Sequence, residues 1–190
     1  MLFPYDRSRA PRDSCVIDRW AGQGWRLLER HELQVRAPAA VAVEAVASTT
    51  LAELPAVRAL FAVRGLRFSK EMTLRAFFST PPFVWLEEEV GREAVFGVLI
   101  PPAGPGGRKR PRSPAEFREA LGAAPFAALG TFRAEPEGDG VRLWTETWSR
   151  TRGVVPSLTF GAYWLAIGPW SAWIRRMFLR AARTRAEAPV

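Results

Sequence analysis

Gly153–Ile174, "GVVPSLTFGAYWLAIGPWSAWI", is a run of 22 residues without a formal charge, bounded by Arg152 and Arg175. A helix of that length is long enough to span a bilayer or to lie across an entire small domain. Three features favour the second. Tyr163 and Trp164 fall at the centre of the run, whereas spanning helices hold such rings near the two interfaces. Pro156, Gly161, Gly168 and Pro169 interrupt it, which makes a poor lone anchor. The helical period also continues past the run: Trp164, Ile167, Ile174, Phe178 and Ala181 stay near one stripe, with Arg175, Arg176, Arg180 and Arg183 on other faces. The segment therefore predicts a long amphipathic helix covering a soluble core, with a kink or a split near Gly168 caused by Pro169.

Such a helix needs a surface to cover, and the preceding residues supply one. His31, Leu33 and Val35 alternate with Glu32, Gln34 and Arg36, the period of a half-buried strand. Before them, "SCVIDRWAGQGWRLLER" predicts a short helix with Ser14 as its cap, ending near Gly22 and Gly24. After them, Pro38 opens one short helix, and a second carries Leu54, Val57, Leu60 and Phe61 on one stripe before stopping at Gly65. "TLRAFFST" reads equally as helix or strand. "FVWLEEEVGREAVFGVLI" predicts two strands about Gly91, followed by the Pro/Gly-rich loop "PPAGPGGRKRPRSP" and a brief helix at "AEFREAL". "FAALGTFRAEPEGDGVRLWTETWSRTR" predicts a hairpin turning at Gly138–Gly140. Helices segregated to one side of an antiparallel sheet make an α+β class, and the space between a curved sheet and one long helix suits a small apolar ligand.

The strings "ERHELQVRAPAAVAVEAV", "LPAVRALFAVRG" and "GDGVRLWTETWSRT", followed by an Arg-rich helix, resemble the START-related (SRPBCC) helix-grip superfamily of polyketide cyclases, dehydratases and lipid-transfer proteins, in particular its bacterial members. The resemblance spans residues 28–187, with residues 1–27 as an arm and short helix. It implies a helix-grip fold with a cavity. It carries over no catalytic residue, because no catalytic motif of the superfamily is matched.

Composition narrows the function classes. The net charge of +8 points weakly towards phosphate or anionic membrane surfaces. All but two of the 27 basic residues are arginine, the exceptions being Lys70 and Lys109, as a GC-rich genome would produce. They are scattered rather than gathered into the stripe that nucleic-acid binding needs, so no nucleic-acid partner is expected. Cys15 is the single cysteine and no apolar signal core opens the chain, so the expected location is cytoplasmic. One histidine and one cysteine make no zinc set, and no metal or cofactor is expected.

The chemistry-bearing residues are few. His31, the sole histidine, has the residue type of a general base but reads first as structural. Trp144, Glu146 and Trp148 share one face of the last strand. Facing inward, Glu146 would be an acid/base candidate between two indoles. Arg142 and Arg150 on the same face favour the opposite placement, with Val141, Leu143, Thr145 and Thr147 inside. Glu87–Glu89 read as a solvated strand end, and "GPGGRKR" (104–110) lacks the ending of a phosphate loop. The bulky apolar residues expected to line a ligand cavity are Phe78, Trp85, Phe96, Phe132, Tyr163, Trp164 and Ile167. The sequence thus predicts a binder of a hydrophobic or lipid-like small molecule. A cyclase/dehydratase using His31 or Glu146, and a cationic module in weak contact with anionic membranes, are its rivals.

Overall fold

A computed structural model describes residues 15–63, 65–100 and 110–188. The arm at residues 1–13, the predicted cap Ser14, and all of the Gly-rich loop up to Lys109 lie outside the described residues. The order is α1 (Val16–Trp20), β1 (Arg26–Val35), α2 (Ala39–Ser48), a 3-10 turn (Leu51–Glu53), α3 (Pro55–Val63), α4 (Leu74–Phe78), β2 (Phe83–Glu89), β3 (Glu93–Ile100), α5 (Pro114–Leu121), β4 (Phe126–Glu137), β5 (Gly140–Thr151) and α6 (Val154–Ala186). The fold is α+β with the helix-grip arrangement: an antiparallel five-stranded sheet, ordered β1-β5-β4-β3-β2, with α6 laid against it.

Local chemistry accounts for most boundaries. The first strand begins at Arg26, earlier than its alternation suggested, and α1 stops at Trp20. "TLRAFFST" resolves as helix α4 because Thr73 accepts a hydrogen bond from the Ala76 N–H at 3.1 Å, an N-cap that a strand would not use. Ser113 caps α5 in the same way, with Pro114 in its first turn. The hairpin turns within the expected Gly138–Gly140 segment, with Gly138–Asp139 as its loop: Glu137 pairs with Gly140, and Gly138 takes φ +62° at the first central position, as a II′ turn requires. The helix α6 runs unbroken through Pro169, so the predicted split at Gly168 does not occur.

Both edge strands carry a bulge, between Leu27 and Glu29 in β1 and between Trp85 and Glu87 in β2. An extra residue bends its strand and increases its twist, so the two edges curl the sheet toward α6. The sheet then has a core on each side. On the concave side Phe96, Phe132, Val141 and Leu143 pack with α2, with α4 and with Phe178, Leu179 and Ala182 of α6. On the convex side Val95, Leu99, Leu129 and Trp148 pack under α1 and α5. The glycines at the centre of the sheet follow from this double packing. A Cβ on Gly130 would meet the Phe96 ring at 2.2 Å on one face, and a Cβ on Gly97 would meet the Phe117 ring at 2.6 Å on the other.

Among the described residues no helix is long and apolar enough to cross a membrane. The two halves of α6 are used differently. Its last turns are anchored by the buried Phe178, Leu179 and Ala182, while its first half presents one face to the sheet across an open space.

Candidate functional site

That space is a cavity of about 800 Å³, within the range of small-molecule sites. The sheet contributes Leu28, Phe83, Phe96, Val98, Phe126 and Ala128 from four strands, and Thr147 from β5. The helices α3 and α4 contribute Phe61, Phe77 and Phe78. The roof is α6, whose Phe160, Trp164, Ile167, Ser171 and Arg175 follow the i, i+4, i+7 series of a single helix face, with Val155 in its first turn. The aromatic side chains are in mutual contact. Phe78 and Phe96 stack with centroids 3.7 Å apart, and Phe126 meets Phe160 of the roof at 4.5 Å. Around the opening, Ile100, Val155, Tyr163 and Trp170 are exposed apolar side chains.

One end of this apolar space is polar. Glu29, next to the β1 bulge, accepts hydrogen bonds at Oε1 from Ser171 Oγ at 2.6 Å and Thr147 Oγ1 at 2.9 Å. The Arg175 Nε lies 3.1 Å from the same oxygen, and His31 Nε2 lies 3.3 Å from Oε2. Arg175 also donates from Nη1 to Thr145 Oγ1 at 2.6 Å, and its guanidinium sits 5.8 Å from the centre of the Phe96 ring. The side chains of Glu29 and Arg175 are only 9% and 11% exposed, so this is a buried ion pair. Burial works to raise the Glu29 pKa, but the His31 contact, the Arg175 charge and the two hydroxyl donors outweigh it and hold the carboxyl below its usual range. Burial pushes the Arg175 guanidinium down from its usual value, with Glu29 opposing. It still carries its proton, since a guanidinium does not lose it in proteins.

The structure brings together Phe78, Phe96, Tyr163, Trp164 and Ile167 at the cavity wall. Trp85 and Phe132 are not among the lining residues. Trp85 faces Glu88 and Arg75 at the edge of β2, and Phe132 is buried beneath Phe78 and Phe178. Glu146 is on the convex face, where Arg30 Nε donates to it at 2.6 Å and Trp148 Nε1 at 2.8 Å, so it does not reach the cavity. Val141, Leu143, Thr145 and Thr147 occupy the concave side, as the charges on the opposite face implied. That opposite face is not simply solvated, however, because α1 and α5 close over Trp148.

His31 lies on the concave face beside Glu29 but outside the cavity lining. Among the described residues no group of three or more His, Cys, Asp or Glu is arranged to hold a metal ion. The residues that sequence reasoning missed are Glu29, Ser171 and Arg175. Arg175, expected on a face other than the apolar stripe, lines the cavity as its cation. The signal was present: Ser171, Ile174, Arg175 and Phe178 follow helical spacing along the roof, and Glu29 has the same strand parity as His31.

No family model and no curated protein sequence matches the chain. Among solved structures it is similar to an uncharacterised protein from Rhizobium leguminosarum, at 13% identity and TM-score 0.42 over 86% of this chain and 95% of that one. The Zhui aromatase/cyclase from Streptomyces sp. R1128 gives 18% identity and TM-score 0.38 over 86% and 97%. The di-domain ARO/CYC BexL of the BE-7585A biosynthetic pathway gives 15% identity and TM-score 0.40 over 90% and 53%. Similarity at this level assigns no activity and no residue role.

Proposed function

We propose that the protein binds an apolar small molecule in the cavity between the concave face of the sheet and the first half of α6. The observation that carries this reading is the cavity itself: about 800 Å³ of space walled by aromatic and aliphatic side chains, with one polar end. Well-packed interiors leave few voids larger than a water molecule. A space this large with apolar walls gains free energy when a ligand removes those walls from water, at about 25 cal/mol per Å². The exposed apolar rim of Ile100, Val155, Tyr163 and Trp170 supports entry by a hydrophobic molecule at that opening.

Native mass spectrometry of freshly purified protein tests the reading. A retained small molecule that dissociates on unfolding is the expected result. Bare protein that also takes up no neutral apolar compound from a cell extract would overturn it.

The convergence of Glu29, His31 and Arg175 supports a second reading, an acid/base enzyme of the cyclase or dehydratase kind. Two facts support binding ahead of it. Glu29 is held ionised and already accepts several hydrogen bonds, which makes it a poor base, and His31 is not among the lining residues. Consumption of a poly-β-carbonyl compound by the wild-type protein but not by His31→Ala would reverse that order.

A further inference from the structure

We infer that the cavity selects neutral, hydroxyl-bearing aromatic ligands and seats the hydroxyl among Arg175, Ser171 and Thr147. The inference rests on the binding reading above and names the ligand class for that site.

It follows from where each polar hydrogen goes. Ser171 and Thr147 each have one O–H, and both donate it to Glu29 Oε1, at 2.6 and 2.9 Å. An ionised carboxylate accepts only, so it fixes both hydroxyls as donors toward itself and leaves their lone pairs for the cavity they line. Arg175 uses Nε on Glu29 and Nη1 on Thr145, while its Nη2 has no hydrogen-bond partner among the described residues. The polar end of the cavity therefore offers a cationic donor beside two acceptors.

A ligand hydroxyl matches that set, because it accepts from Arg175 and donates to Ser171 or Thr147. A ketone meets only the donor. A carboxylate has no proton to give and would bring a second negative charge beside Glu29, whose charge already balances that of Arg175. The remaining walls favour a flat ring system: the guanidinium lies 5.8 Å from the Phe96 ring centre, Phe96 stacks on Phe78, and Phe126 and Phe160 stand in contact farther along. Aromatic pairs of this kind add to simple area burial.

Three probes with one ring system separate the contributions: naphthalene, 2-naphthol and 2-naphthoate, titrated calorimetrically at pH 7, where the naphthol is neutral and the acid ionised. The expected order is naphthol tighter than naphthalene by about tenfold or more, as hydrogen bonds to a charged partner allow, with naphthoate the weakest. In the double variant Ser171→Ala/Thr147→Val the ligand hydroxyl keeps the Arg175 donor but loses both acceptors, so the naphthol advantage over naphthalene shrinks by about threefold or more, with thermal unfolding of the variant as the check on folding. Equal binding of naphthol and naphthalene, naphthoate binding tightest, or an undiminished naphthol advantage in the variant would each overturn the inference while leaving apolar binding in place. Binding of none of the three would remove both.

Discussion

Inside an apolar cavity a guanidinium is among the costliest groups to bury, and Arg175 is tolerated because Glu29 lies 3.1 Å away and Thr145 takes a second hydrogen bond. Breaking such a pair on one side strands a charge, which typically costs about 3–5 kcal/mol, whereas replacing both members by apolar groups of similar volume is often neutral. Glu29→Leu and Arg175→Met should each lower the urea midpoint strongly, and the double variant should recover most of the loss. A double variant no more stable than either single one would show that the pair is not an isolated unit.

Glu93 makes the opposite case on the convex face. It is fully buried and accepts hydrogen bonds from the backbone N–H groups of Val16 and Ile17 and from Thr131, yet burial raises its pKa above the ordinary value. A raised folded-state pKa means a stabilising contribution that is complete below the unfolded pKa of 4.5 and is lost as pH rises through the folded value. Glu29, with its lowered pKa, contributes stability above 4.5 that is lost only as pH falls below that value. Lowering the pH from neutral toward 4.5 should therefore raise the contribution from Glu93, and Glu93→Gln should flatten that part of the stability–pH curve. Chemical denaturation across the range measures it, and an unchanged slope in the variant would contradict the assignment.

At the scale of elements, α6 divides into a roof and an anchor. Leu165 in the first half is 83% exposed, whereas Leu179 in the second is 1% exposed against the concave core. Leu179→Ala should cost about 2–5 kcal/mol, the usual loss for a buried leucine, and Leu165→Ala less than about 0.5 kcal/mol. Thermal and denaturant unfolding of the two variants gives the comparison, and similar losses would mean that the first half packs as tightly as the second. This division explains what could be read from the sequence. The length and period of α6, the final hairpin and the alternation of β1 are local patterns, and all three elements are present. The burial of Arg175 depends on a carboxylate on another element, so its charge alone suggested solvent. The bulge at Leu28 is likewise tertiary: it curls the strand edge, and no local composition announces it. Trp85 and Phe132 have the side chains of cavity walls, but Phe132 is covered by Phe78 of α4 and Phe178 of α6, and Trp85 lies under Arg75 of α4, contacts that no local pattern announces.

For the whole molecule, sheet curvature and a helix anchored at only one end leave an aromatic chamber whose polar end is built from β1, β5 and α6. Ala128 of β4 faces that chamber from the middle of the sheet, where a larger side chain would occupy ligand space without touching the ion pair. The most direct measurement is a titration with 2-naphthol of the wild-type protein and of Ala128→Trp, with thermal unfolding of both as the check on folding. Binding in this cavity predicts at least a tenfold loss of affinity, about 1.4 kcal/mol, in a variant that still unfolds cooperatively. Undiminished binding by folded Ala128→Trp would contradict it.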